Sequence, residues 1–229
     1  MLRSILAGLT CLTLSLAPAQ ADELIYLTDE PGEALFFESE ERSDYFALAS
    51  YLETEQILTF CGPATIATVL NSLEVERPAP RELYPWRLWT QDMVFTPENQ
   101  EVKPYAMVEH EGLVLEDLAT FFRNLGVSAE YRHADTFDTD ELRQIVVDTL
   151  AAPDQRLVVN YSRQPINQSG GGHISPVAAY DADSDRVLIL DVARYKYPPV
   201  WLTLDDLLTA MRDVDPDSDE ARGLVVVSE

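Results

Sequence analysis

The sequence predicts an α+β domain in which an N-terminal helical part packs on a C-terminal antiparallel sheet. Three observations carry this. "CGPATIATVLNSL" (61–73) and two later segments place apolar residues at helical spacing, and the last third holds four short runs rich in β-branched and aromatic residues. No repeat, linker or low-complexity tract separates the two parts, and helices early with strands late is the pattern of an α+β fold.

The elements follow in chain order. Residues 1–21 carry one Arg, an unbroken apolar run and Ala19-Gln20-Ala21 before the first acid, Asp22. This reads as a cleaved secretory signal, too short to be a membrane span, with a retained anchor as the alternative. The expected location is periplasmic or secreted, with no membrane association after cleavage. Cys11 leaves with the leader, so a mature chain of 208 residues carries only Cys61 and must hold its fold by its core, without an internal disulfide. Residues 22–43 mix acids with short apolar pieces and are expected to lie across the surface as an extension before the domain proper, 44–229.

Charge excludes one class of partner. The formal net charge is −24, and losing Arg3 with the leader makes it −25. Such a surface repels phosphate backbones and anionic lipid, so nucleic acid is not a partner. The sequence leaves a homodimer open.

In "CGPATIATVLNSL", Ala64, Ala67, Leu70 and Leu73 share one face, and Pro63 sits where a first turn tolerates it, so a helix is predicted over about 62–73. Residues 74–105 hold five of the fourteen prolines and predict irregular loop with short helices. "LVLEDLATFFRNLG" (113–126) predicts an amphipathic helix closed by Gly126, and "DTDELRQIVVDTLA" (138–151) a second helix with an acidic cap. "VSAEYRH" (127–133) alternates as a strand. "RLVVNYS", "HISPVAAY", "RVLILDVA" and "GLVVVS" are the four later strands.

Cys61 stands at a helix N-terminus, where free N–H groups and partial positive charge favour thiolate over thiol. That is nucleophile chemistry; the structural alternative is a small buried apolar residue. A thiol nucleophile needs a base. Of the mature chain's histidines, His110 and His133 lie in charged segments and read as surface residues, whereas His173 follows Gly170, Gly171 and Gly172, where backbone can approach a ligand, and opens a strand. If 181–185 is a hairpin loop with Tyr180 opposite Arg186, paired positions sum to 366 and Ser175 faces Asp191. His173 shares a face with Ser175, so Asp191 becomes its diagonal neighbour. A carboxylate in "VLILDVA" is costly to bury without such a partner. Cys61, His173 and Asp191 then form a nucleophile, base and orienting acid. A metal reading fails on spacing, because no HExxH, paired cysteines or clustered histidines are present.

"CGPATIATVLNSLEV", "PWRLWTQD", "GGGHISPVAAYDADSDRVLILDVARYKYPPVWL" and "ARGLVVVS", in this order and spacing, resemble the phytochelatin synthase family, especially its short prokaryotic members, over residues 44–229. The resemblance implies a papain-like cysteine peptidase fold. It also implies chemistry on glutathione or related thiol peptides: the cysteine attacks the carbonyl preceding the terminal glycine and leaves a γ-glutamylcysteinyl thioester. Water then gives γ-glutamylcysteine, or a second glutathione extends a phytochelatin. Motif by motif, nucleophile, base and acid fall on Cys61, His173 and Asp191. Asp215 and Arg222 fall where the family holds the amino and carboxylate ends of the γ-glutamyl group, and Arg163 resembles an arginine near the site, with Gly172 beside the base as a substrate-facing position. No cofactor is required; heavy-metal ions enter as thiolate complexes with substrate. Plant relatives continue into a cysteine-rich region beyond the part matched here, so hydrolysis is the expected outcome, with transfer or a non-catalytic thiol-peptide binding protein as alternatives.

One residue departs from the family pattern. Papain-like enzymes place a Gln six residues before the cysteine to donate to the oxyanion, and position 55 is Glu. Either Gln56 supplies the amide through a one-residue shift, the expectation adopted here, or Glu55 is held protonated, or the protein is slow or inactive.

Overall fold

The computed structural model describes residues 24–229; the secretory leader read over 1–21 lies outside the described residues. Among the described residues no helix is long and apolar enough to cross a membrane. The centre is a seven-stranded, wholly antiparallel sheet in the order β1-β6-β5-β4-β3-β9-β2. Its strands are β1 (Ile25–Tyr26), β2 (Ser128–His133), β3 (Gln155–Ser162), β4 (Gly172–Asp181), β5 (Arg186–Ile189), β6 (Val200–Thr203) and β9 (Gly223–Ser228). A small hairpin of β7 (Val214–Asp215) and β8 (Glu220–Ala221) stands apart from it.

The α+β class expected from sequence is observed, but the helices are not segregated to one side. Alternate residues of β3 divide between two cores: Val158 faces one, Leu157, Val159 and Tyr161 the other. Helices α1 (Glu30–Glu38), α2 (Ser43–Ser50), α3 (Cys61–Ser72) and α6 (Leu115–Asn124) contribute to the first core. Helices α7 (Thr139–Ala151) and α8 (Leu204–Arg212) cover the opposite face. A sheet buried on both faces reads as continuous apolar runs, which is why "RLVVNYS" shows no clean alternation.

Helix α3 is enclosed on nearly every side, with Cys61 through Asn71 all buried. The Asn71 side chain clamps the proline-rich segment, its amide donating to the Trp89 carbonyl at 2.8 Å while its oxygen accepts from the Trp89 N–H at 2.8 Å. As expected, that segment is loop with short helices, among them α4 (Pro97–Val102), and α5 (Tyr105–Glu111) follows it. Gly126, at φ +91°, follows α6, and the Asp138 side chain caps α7 by accepting from the Glu141 N–H at 3.0 Å.

Residues 24–43 correct the expectation of a surface extension. Strand β1 adds to the sheet edge through Ile25 opposite Trp201 and Tyr26 opposite Val200, and Glu41 bridges to Tyr180. The buried Trp201 indole donates to the Gly32 carbonyl at 3.1 Å. Gly32 lies so close to β1 that a Cβ there would sit 1.9 Å from the Tyr26 carbonyl oxygen. Gly32→Ala is therefore expected to prise α1 from the sheet edge and cost about 2 kcal/mol or more in urea unfolding; an unchanged midpoint would show that this segment is an appendage.

Candidate functional site

Two backbone hydrogen bonds fix the approach to α3. The Glu55 N–H donates to the Val192 carbonyl at 3.0 Å, and the Gln56 N–H donates to Gln91 Oε1 at 3.0 Å. Gln91 is itself held by Glu53 Oε2 at 2.7 Å and the Thr54 carbonyl at 2.9 Å. Glu55 consequently points inward and is only 7 % exposed, while Gln56 is exposed and lines a separate depression with Pro80, Arg81 and Thr90. The expected one-residue shift does not occur, and Gln56 offers no donor to the site.

Cys61 is the first residue of α3, His173 the second residue of β4, and Asp191 lies two residues past β5. One carboxylate oxygen of Glu55, the Cys61 sulfur and one ring nitrogen of His173 lie within 4.8 Å of one another. His173 Nε2 stands 2.9 Å from Asp191 Oδ1 and 2.9 Å from Ser175 Oγ, which also accepts the Val192 N–H at 3.2 Å. This network assigns the proton to Nε2 and leaves Nδ1 as the lone-pair nitrogen.

The meeting of His173 with Asp191 depends on a bulge. At the hairpin tip Asp181 faces Arg186 and Tyr180 faces Val187, one residue out of the predicted register. Carried to the strand end, that register would set Asp191 opposite Pro176, on the face away from His173. A bulge between Val177 and Ala179 restores the predicted pairing, with Val177 opposite Ile189 and the Leu190 N–H donating to the Pro176 carbonyl at 3.0 Å.

Asp191 is 0 % exposed. Arg163, itself buried, places Nη2 3.0 Å from Oδ1 and Nη1 2.8 Å from Oδ2, and the Ala193 N–H donates to Oδ1 at 2.8 Å. Burial pushes this carboxyl up, but the His173 hydrogen bond and the Arg163 charge outweigh it and hold it well below the ordinary carboxylate range. Arg163 is also bonded to Gln168 Oε1 and lies 5.0 Å from the Tyr197 ring centre. It is not among the residues lining the cleft, so its place is behind the acid and not against a ligand as expected.

The thiol differs from expectation as well. Burial pushes Cys61 up to about 12 and the Glu55 charge adds to this, against the Ile174 and Gly62 amides and the Arg163 charge. The half-charge of a helix terminus does not offset loss of solvent plus a neighbouring acid. Burial likewise lowers His173, opposed by Asp191, and raises Glu55, opposed by the hydrogen bond from Tyr195 Oη. Both shifts favour the uncharged form, of the thiol and of the imidazole.

Cys61 and His173 open on a cleft of about 140 Å³ that is also lined by Asn160, Glu111, Gly172, Asp215, Asp217 and Arg222. The β7–β8 hairpin brings Asp215 to within 3.7 Å of Arg222 Nε, an atom buried without a hydrogen-bond partner. Arg222 Nη1 donates to the Asp213 and Val214 carbonyls at 2.8 and 3.0 Å, which fixes the guanidinium. Gly172 makes room for it, since a Cβ there would lie 3.0 Å from Arg222 Nε. Asn160 was missed from sequence; its buried Nδ2 has no partner, and the signal was an amide in the middle of an apolar strand. His110 is exposed, and half-buried His133 lies 2.6 Å from the Ala221 carbonyl through Nδ1, so neither belongs to the cleft.

Removing Arg163 leaves a buried carboxylate short of its cation. Arg163→Met is expected to cost about 3 kcal/mol or more in urea unfolding at pH 7 and to lower kcat by loosening His173. A raised KM with unchanged stability would instead place this arginine on the substrate.

Comparison with known proteins places the chain. A family model described as phytochelatin synthase matches residues 17–224. The chain is 34% identical over 184 residues to glutathione gamma-glutamylcysteinyltransferase 3 of Lotus japonicus, covering 80% of this chain and 37% of that protein. It is 33% identical over 184 residues to glutathione gamma-glutamylcysteinyltransferase 2 of Arabidopsis thaliana, covering 80% and 39%. With the glutathione gamma-glutamylcysteinyltransferase of Schizosaccharomyces pombe it shares 30% identity over 186 residues, covering 80% and 43%. The chain spans less than half the length of these relatives. A match over almost the whole of the described residues, joined to a buried Cys–His–Asp arrangement on an antiparallel sheet, means that the chain belongs to the phytochelatin synthase family.

Proposed function

We propose that this chain is a cysteine peptidase of papain-like fold that cleaves glutathione to γ-glutamylcysteine and glycine through a thioester on Cys61. The observation that carries the reading is a cleft lined by Cys61 and His173, with Asp191 behind the imidazole, that also presents Asp215 and Arg222 as a loosely coupled pair. An α-amino acid head carries an ammonium and a carboxylate side by side. Asp215 suits the first and the fixed guanidinium of Arg222 the second. The γ-glutamyl end of glutathione is such a head, and its anchoring there directs the cysteinyl–glycine bond toward the sulfur. The unpartnered Asn160 amide is a donor for a peptide carbonyl in between.

In the proposed reaction the Cys61 thiol passes its proton to His173 Nδ1 as the sulfur attacks the carbonyl carbon. Because enclosure disfavours both the thiolate and the imidazolium, proton transfer accompanies attack. Asp191, held by Arg163, stabilises the imidazolium and keeps the ring in its tautomer. The Cys61 N–H, at the first position of α3, has no partner within the helix and is available to the oxyanion. The imidazolium then protonates the glycine nitrogen, and the C–N bond breaks to leave the thioester. His173 next activates water, which releases γ-glutamylcysteine; a second glutathione amine at this step gives transfer instead.

Glu55 occupies the place of an oxyanion donor. As an acid it donates; as a carboxylate it opposes the developing charge. Its presence beside the sulfur favours the second reading, a fold kept for binding thiol peptides without turnover.

Purified protein mixed with glutathione is expected to show a γ-glutamylcysteinyl adduct on Cys61 by mass spectrometry and to release glycine, and Cys61→Ser is expected to stop both. Calorimetric binding without adduct or glycine over hours would establish the binding reading. Glu55→Gln restores an unconditional amide donor and is expected to raise glycine release at neutral pH about tenfold or more; a tenfold fall would show that the acid itself is required. Product length with excess glutathione and added Cd²⁺ separates hydrolysis from transfer.

A further inference from the structure

Glu55 has a second consequence at the same place. Its carboxylate, the Cys61 sulfur and a His173 nitrogen each offer one ligand atom, all within 4.8 Å of one another, and each residue is more than nine-tenths buried. We propose that these three side chains form a binding site for a soft or borderline divalent cation of the zinc and cadmium class. The ligands are the Cys61 thiolate, the His173 nitrogen not held by Asp191, and the Glu55 oxygen not held by Tyr195.

The donor set is one sulfur, one imidazole nitrogen and one carboxylate oxygen, which is the chemistry zinc and cadmium take from proteins. In a tetrahedral site with ordinary bond lengths, ligand atoms stand about 3.3–3.8 Å apart. Side-chain rotations that draw the trio together by about 1 Å bring it to that geometry. Three protein ligands leave a fourth position for water or a ligand thiolate, and two of the three, Cys61 and His173, line the cleft. The surroundings support the ligands: His173 donates its other ring N–H to Asp191 at 2.9 Å, the carboxylate–histidine arrangement that orients metal-bound imidazoles, and Arg163 holds Asp191 in turn.

The thioester reaction does not account for one atom of this trio. Glu55 Oε1 is bonded by Tyr195 Oη, but Oε2 is buried with no hydrogen-bond partner, and a cation supplies one. The balance closes: cation binding releases the Cys61 proton, and any proton on Glu55, to solvent, and two anionic ligands neutralise the divalent charge without burying a net charge. Sequence spacing gave no hint of this, because the three ligands come from the approach loop, the head of α3 and the start of β4. Occupation by the cation and acylation of Cys61 exclude each other.

The test reads binding and is independent of glycine release. Reduced, chelator-treated full-length protein is titrated with Cd²⁺ and with Co²⁺. One equivalent is expected to produce a thiolate-to-metal charge-transfer band and to protect Cys61 from iodoacetamide, with both effects reversed by chelator. Cys61→Ala is expected to abolish the band, and Glu55→Gln to weaken binding at least about tenfold. Glu55→Ala, removing bulk with charge, serves as a second variant with the same expected loss if the first does not fold. Absence of a band in the wild type, or an affinity unchanged in the Glu55 variants, would overturn the site; binding that persists without a band in Cys61→Ala would show that surface acids hold the ion.

Discussion

The site rests on one buried negative charge. Asp191 has no access to water, and an isolated carboxylate in such a place would be neutralised or expelled. It persists because Arg163 faces both of its oxygens, the Ala193 amide donates to it and His173 completes the shell. Each partner is drawn into place by that charge, so the orientation of the imidazole follows from electrostatics as much as from strand geometry. Arg163 is buried in the same act, with Gln168 and the Tyr197 ring closing around it. Neutralisation inside this cluster also explains how Arg163 is kept in the interior.

Around that anchor enclosure acts on the remaining groups. Burial raises the thiol and the Glu55 carboxyl and lowers the imidazole, so each shift favours the uncharged form of its group. Such a site changes protonation when occupied, whether by a substrate carbonyl that takes electrons from sulfur or by a cation that takes the sulfur outright. Glu55 decides how far each is favoured, because an amide at this position would supply a donor to the first and a poorer ligand to the second.

The Asp215 and Arg222 lining of the cleft is built on a different principle. Arg222 is immobilised by backbone carbonyls and only loosely coupled to Asp215, and Gly172 withholds a side chain that would press on it. Opposite charges held nearby but not closed on each other suit a zwitterionic ligand, and this local arrangement matters more than the net charge of the surface.

The sequence by itself determined the element types wherever local chemistry is strong: the helix behind Cys61-Gly62-Pro63, the Asp138 cap, the Gly126 stop and the β-branched strands. It also named Cys61, His173 and Asp191, since a thiol at a helix head, a histidine after three glycines and an acid among aliphatics each stand out against their neighbours. Tertiary structure decided what depends on long-range placement. The bulge at Val177–Ala179 fixed which face Asp191 occupies, because strand register shifts every later side chain to the other face. Gln91, thirty-five residues from Gln56, turned Glu55 inward and Gln56 outward. The state of the thiol came from enclosure, which no spacing encodes, and the pairing of Arg163 with Asp191 and of β1 with β6 came from contacts between segments far apart in the chain.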